Sequence, residues 1–132
     1  MMKEMMLLLT LWLTLVMGCT KAEKPPGVVD VQPGEVAGLL SNNEVIIIDI
    51  RTPGEWQSGT VEGAQLINLQ DPSFLELIDP LDRNQTYLLY CRTGNRSRMA
   101  ASIMQEVGFA SILNYTGTQE EILRETHGLQ KE

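Results

Sequence analysis

Two short runs of apolar residues dominate the chain: Val45-Ile46-Ile47-Ile48, closed by Asp49, and Tyr87-Leu88-Leu89-Tyr90, closed by Cys91. Runs of this length without alternation predict strands covered on both faces, as in the interior of a parallel sheet. Shorter apolar stretches at 28–31, 64–69 and 110–113 predict three further strands. The segments between them read as helices. Residues 35–40 follow a Pro33-Gly34 turn, and 72–78 form a second short helix. Thr52-Pro53-Gly54-Glu55 supplies an N-cap, a proline at the first helical position and a carboxylate at the third. Residues 95–107 carry Ala100, Ile103, Met104 and Val107 at helical spacing, and Gly108 stops them. The last helix, 119–126, is marked as partly exposed by Glu120, Glu121, Arg124 and Glu125. Strand and helix alternate throughout, which predicts one α/β domain with helices on both faces of a parallel sheet. An all-helical fold leaves the two β-branched and aromatic runs unexplained.

The first 27 residues follow a different pattern. Residues 5–17 are apolar except for Thr10 and Thr14 and follow Lys3. The stretch is shorter than the roughly 20 residues a bilayer span needs and fits the core of a secretory signal. Val16-Met17-Gly18-Cys19 resembles a bacterial lipobox, with a larger residue at Met17 than such sites use. The resemblance implies cleavage after residue 18, acylation of Cys19 and attachment to a membrane through that lipid. Thr20 after the cysteine implies the periplasmic face of the outer membrane in a double-membraned bacterium. Residues 19–27, with Pro25-Pro26, form a polar tether. The expected organisation is a signal peptide at 1–18, the lipidated tether at 19–27, a folded domain at 28–127 and a tail at 128–132.

Composition adds exclusions. The chain has 132 residues, 43% hydrophobic and 20% charged, which suits a single small globular domain. Ten basic against 17 acidic residues give a net charge of -7, which argues against a general nucleic-acid surface. Arg92, Arg96 and Arg98 nevertheless cluster directly after Cys91. With Cys19 consumed in processing, Cys91 stands alone, which excludes a disulfide framework, a C-x-x-C redox pair and a metal site built from paired thiolates.

The candidate chemistry lies in Cys91-Arg92-Thr93-Gly94-Asn95-Arg96-Ser97. A cysteine on a short loop between a buried strand and a helix start faces unsatisfied backbone N–H groups, which cradle anions and favour a thiolate. Gly94 permits a tight bend, Thr93 and Ser97 offer hydroxyls, and Arg92 or Arg96 can attract an anionic substrate. Asp49 and Arg51 at the sheet edge read as loop supports, and Glu55 as a cap or arginine partner. Trp56 reads as core and His127 as a solvated tail residue.

These two segments carry a family resemblance. Asp49, Arg51, Glu55 and Trp56 match the D-x-R-x-x-x-E-[FW] signature of single-domain rhodaneses, and Cys91 to Ser97 match their cysteine loop. The resemblance implies a three-layer α/β/α domain with a five-stranded parallel sheet in the order 1-5-4-2-3, and Cys91 at its carboxyl edge. It implies a sulfurtransferase that carries sulfur as a Cys91 persulfide, with no cofactor and no metal. Its partners would be an anionic donor such as thiosulfate and a small thiol, protein thiol or cyanide acceptor, and the 92–97 loop would bind the donor. Two departures stand out. Gly59-Thr60-Val61 replaces the family's Gly-His-Ile, and Thr116-Gly117-Thr118-Gln119-Glu120-Glu121 replaces a G-G-[IVF]-x-x-W segment. Two other readings compete: a module that binds or senses sulfane sulfur without turnover, and a cysteine-dependent phosphatase or arsenate reductase. The latter needs C-x5-R, and Ser97 occupies the arginine's place.

Overall fold

The computed structural model describes residues 27–42 and 44–129. The expected leader, the lipidation residue Cys19 and the tether as far as residue 26 lie outside the described residues, as do 130–132. Within them the chain runs β1 (Val29–Val31), α1 (Val36–Leu40), β2 (Val45–Asp49), α2 (Pro53–Trp56), β3 (Gln65–Leu66), α3 (Phe74–Ile78), β4 (Thr86–Tyr90), α4 (Asn95–Glu106), β5 (Ser111–Tyr115) and α5 (Gln119–Thr126). The five strands form one sheet in the order β1-β5-β4-β2-β3, with every pairing parallel. This is the α/β/α architecture and strand order that the resemblance implied.

The alternation of side chains along β4 explains why its sequence is apolar throughout. Tyr87, Leu89 and Cys91 join Ile48, Ile50, Ala100, Met104 and Phe109 on one side of the sheet. Leu88 and Tyr90 join Val31, Val36, Ile47, Tyr115 and Ile122 on the other. Each fully buried valine, leucine, isoleucine, methionine or phenylalanine among them stabilises the fold by roughly 1.5–3 kcal/mol. Cys91 therefore directly follows a strand held on both faces and both edges, a rigid base for a reactive group.

Three boundaries differ from the sequence pattern. Strand β3 has two residues, because beyond Leu66 the chain leaves regular pairing, although Ile67 and Leu69 still donate N–H groups to the carbonyls of Asp49 and Ile50. Strand β5 extends through Asn114 and Tyr115, both fully buried. Its polar Asn114 hides the continuation in the sequence, since its hydrogen bonds are made to distant residues. On α4 the buried face is Ser97, Ala100, Ala101 and Met104, with Ile103 half-buried. Val107 caps the helix in a non-helical conformation and is 40% exposed, so it does not belong to the packed face.

Beneath the loop edge, Arg51 is the largest fully buried side chain. Its Nε and Nη2 donate to Asp49, the shortest bond being 2.7 Å, and further bonds reach the carbonyls of Glu55 and Gly59. The Tyr90 hydroxyl donates to Asp49 Oδ2 at 2.6 Å and accepts from the Val61 N–H. Burial, then the Asp49 carboxylate, push the Tyr90 phenol upward, so it stays a donor. Removing the arginine would leave a buried, partly unmatched carboxylate. Arg51→Ala is expected to lower unfolding free energy by about 3–5 kcal/mol in chemical denaturation; a loss under about 1 kcal/mol would show that the pair does not hold this edge.

Candidate active site

Cys91 follows the last residue of β4, is 2% exposed and is a free thiol. The chain then turns back over its sulfur. Gly94 has φ +92°, a left-handed conformation, and a Cβ there would come within 3.2 Å of Thr116 Cα and of the Tyr115 carbonyl oxygen. The left-handed backbone favours glycine, and the close approach leaves a side chain little room. The turn brings the Gly94 N–H to 3.0 Å from Cys91 Sγ. Gly94 is also the N-cap of α4 and supplies no capping side chain, so the first N–H groups of the helix are left to the loop. Ser97, buried in the first turn, places Oγ 3.5 Å from the sulfur.

Burial pushes the Cys91 thiol upward. The Ser97 hydroxyl and the N–H groups of Ser97, Thr93 and Gly94 outweigh that effect, leaving the thiol below its ordinary value. Donors gathered on a sulfur at a helix start favour the thiolate, the form in which a cysteine acts as a nucleophile.

The arginines divide their work. Arg96, expected to receive the substrate anion, makes a two-pronged pair with Glu55, Nη1 to Oε2 at 2.7 Å and Nη2 to Oε1 at 2.6 Å. It thereby ties α4 to α2, and Glu55 also closes the capping box of α2 with Thr52. Arg98 pairs with Asp30 on β1. Arg92 is exposed and makes no ion pair among the described residues. With Thr93, Thr118, Gln119 and Glu120 it lines a cleft of about 280 Å³ beside the loop. The free cation at the mouth is thus Arg92. Asn95 is exposed and its side chain makes no hydrogen bond among the described residues. His127 is exposed at the end of α5 and takes no part in the site.

Several residues that complete the site lie outside the cysteine loop. The segment 116–121 replaces part of the expected pocket wall, and Thr118 and Glu121 form a capping box that starts α5. The Gln119 N–H donates to the Arg92 carbonyl, and Gln119 Nε2 to the Gly59 carbonyl. Asn114 Oδ1 accepts from Ser97 Oγ at 2.6 Å, and its Nδ2 donates to Asp30 at 3.0 Å. An asparagine inside the apolar Ile112-Leu113-Asn114-Tyr115 run was the one available hint of this second layer. No group of three or more His, Cys, Asp or Glu suited to a metal occurs among the described residues.

The profile of the rhodanese-like domain matches residues 32–125. The chain belongs to the rhodanese-like family. Among curated relatives of this family, a tRNA sulfurtransferase of Tolumonas auensis is 38% identical over 87 residues, covering 64% of this chain and 18% of its own. A sulfurtransferase of Allochromatium vinosum is 32% identical over 81 residues, covering 60% of this chain and 72% of its own. A solved rhodanese-like domain protein from Staphylococcus aureus superposes with a TM-score of 0.63 at 23% identity, covering 71% of this chain and 90% of the other. The chain spans about a fifth of the length of the first curated relatives it matches, at 22% and 18%. Rhodanese-family enzymes act through a cysteine persulfide without a bound cofactor, and the cysteine in the matching place here is Cys91.

The Arg96 guanidinium, opposed by partial burial and helped by the bonds from Thr52, holds the Glu55 carboxyl at about 2, below its ordinary 4.5. A depressed carboxyl contributes stability that is complete above its unfolded pKa and disappears as pH falls through its folded one. Urea unfolding measured from about pH 5 to about pH 2 should therefore show a falling component that Glu55→Gln removes. An unchanged slope in that variant would mean that the pair does not stabilise the fold.

Proposed function

We propose that this domain is a sulfurtransferase that takes sulfane sulfur from thiosulfate or a related anionic donor and passes it to a thiol. The observation that carries the reading is the convergence of loop N–H groups on a buried Cys91 sulfur, beside a cleft whose free charged groups are Arg92 and Glu120. In the first half-reaction the Cys91 thiolate attacks the outer sulfur of thiosulfate. A sulfur–sulfur bond forms to Cys91, the donor's own sulfur–sulfur bond breaks, and sulfite leaves with the electron pair. In the second, an acceptor thiolate attacks the outer persulfide sulfur, carries it away as a new persulfide and restores the Cys91 thiolate. Cyanide can replace the thiol in an assay.

The loop donors would stabilise negative charge on the terminal persulfide sulfur, as an oxyanion hole does for oxygen. Arg92 would meet the sulfonate end of the donor at the cleft. Arg96 would act by holding the loop to α2. A cysteine phosphatase is disfavoured because the position six residues after Cys91 holds Ser97, wholly buried, and the guanidiniums on either side of it, those of Arg96 and Arg98, are bound to Glu55 and Asp30. We further propose that the chain is an exported lipoprotein, acylated at Cys19, that works at the periplasmic face of the outer membrane. The lipobox-like Val16-Met17-Gly18-Cys19 and the apolar stretch before it support that reading.

Intact mass after thiosulfate treatment tests the chemistry. The protein should gain the mass of one sulfur atom, lose it on treatment with cyanide, and gain nothing as Cys91→Ser. In steady-state assays Arg92→Ala should raise KM for thiosulfate about tenfold, the loss expected for one charge-assisted contact, while kcat changes less. A wild-type thiol that stays unmodified in excess thiosulfate would refute the assignment.

A further inference from the structure

Behind Cys91 a chain of polar groups leads out of the core. The Ser97 hydroxyl lies 3.5 Å from the sulfur and 2.6 Å from Asn114 Oδ1, while Asn114 Nδ2 donates at 3.0 Å to Asp30. Ser97 and Asn114 are wholly buried, and Asp30 is at the surface on β1, paired with Arg98. The direction of these bonds follows from what each group can do. The Asn114 hydrogen bond, then Arg98, hold the Asp30 carboxyl below its ordinary value, so it is ionised and can only accept. Asn114 must therefore turn its NH2 toward Asp30 and its carbonyl toward Ser97. Ser97 has one hydroxyl proton and two acceptors for it, the near Asn114 carbonyl and the more distant Cys91 sulfur.

We propose that Asp30, acting through the orientation of Asn114, regulates how much thiolate Cys91 carries by drawing the Ser97 proton away from the sulfur. With the proton on the Asn114 side, Ser97 Oγ is an acceptor toward Cys91 and favours the protonated thiol. When the thiol loses its proton to water, the hydroxyl turns to the sulfur and the Asn114 carbonyl gives up its donor. No proton passes along the chain; only the hydroxyl rotates. Asp30 and Asn114 are positioning residues, because neither touches the sulfur.

The other charges around the loop do not replace this control. Arg96 on α4 is matched by Glu55 on α2, and Arg51 by Asp49 on β2. Arg92, on the loop itself, and Glu120, at the start of α5, stand at the cleft mouth. From β5 the group facing Ser97 is the neutral Asn114. The inference deepens the persulfide reading and rests on it for its purpose, yet its measurement does not require sulfur transfer.

The test is the pH dependence of Cys91 alkylation by iodoacetamide in the intact protein, with thiolate absorbance as a second readout. Asp30→Ala frees the Asn114 amide to turn over, so Nδ2 can donate to Ser97 and the Ser97 proton can go to the sulfur. Alkylation at mildly acidic pH should become roughly threefold faster or more, with the whole profile moved to lower pH. Ser97→Ala should move it to higher pH. In the Ser97→Ala background, Asp30→Ala should then change nothing, because the group through which it acts is gone. Equal acceleration with and without Ser97 would show that Asp30 acts only as a charge through space and would overturn the proposal. An unchanged profile in Asp30→Ala with Ser97 present would overturn it as well. Persulfide formation, followed separately by mass, distinguishes failure of this relay from failure of the sulfurtransferase reading.

Discussion

The site depends on one short hydrogen bond, from the Gly94 N–H to the sulfur of Cys91 at 3.0 Å. For it to form, the chain must reverse within three residues of a rigid interior strand, and a left-handed glycine makes that reversal with its backbone close against Thr116 and the Tyr115 carbonyl. That reversal also aims the start of α4 back toward the strand it follows. The Ser97 hydroxyl, the free N–H groups of the first turn and the Arg96–Glu55 clamp all take their positions from it. Burial alone would hold Cys91 as an inert thiol; the donors gathered by this turn decide the balance toward the nucleophile.

The surrounding fold keeps this turn in place from two sides. On one side, the Asp49–Arg51 pair fills the space below the β2 edge, and Arg51 donates to the carbonyls of Glu55 and Gly59. Glu55 in turn binds Arg96, so the buried pair and the loop are linked through α2. On the other side, Gln119 fastens the Arg92 carbonyl and reaches the Gly59 carbonyl. The segment that departs from the family pattern therefore still closes the pocket, by means of a capped helix start in place of the usual wall. Glycine is needed there too: a Cβ on Gly117 would lie 2.7 Å from Pro33 and from the Tyr115 ring. The Gly59 carbonyl remains anchored although the family histidine is replaced by Thr60, since Arg51 and Gln119 both donate to it.

The parts of this arrangement that are local in sequence were readable there. Two apolar runs, each followed by a polar or reactive residue, located β2 and β4 and put Asp49 and Cys91 at the same sheet edge. The Thr52-Pro53-Gly54-Glu55 cap and the glycine after the cysteine were equally plain, because each encodes its own backbone geometry. What could not be read was pairing across the fold. Arg92 and Arg96 look equivalent in the sequence, and only their neighbours make Arg96 a clamp and leave Arg92 open. Asp30 and Asn114 are 84 residues apart and meet because β1 pairs with β5. Val107 has the right spacing for the core face, yet the helix ends one residue before it and its side chain is left in solvent.

The chemistry turns on where the transferred sulfur rests. A crystal structure of thiosulfate-treated protein, frozen before any acceptor is added, tests this directly. It should show one additional sulfur bonded to Cys91 Sγ, enclosed by the loop from Arg92 to Ser97 and within hydrogen-bond reach of its N–H groups. Arg92 should stand at the opening and Arg96 should still be bound to Glu55. An unmodified Cys91, or an added sulfur turned away from the loop donors, would contradict the account.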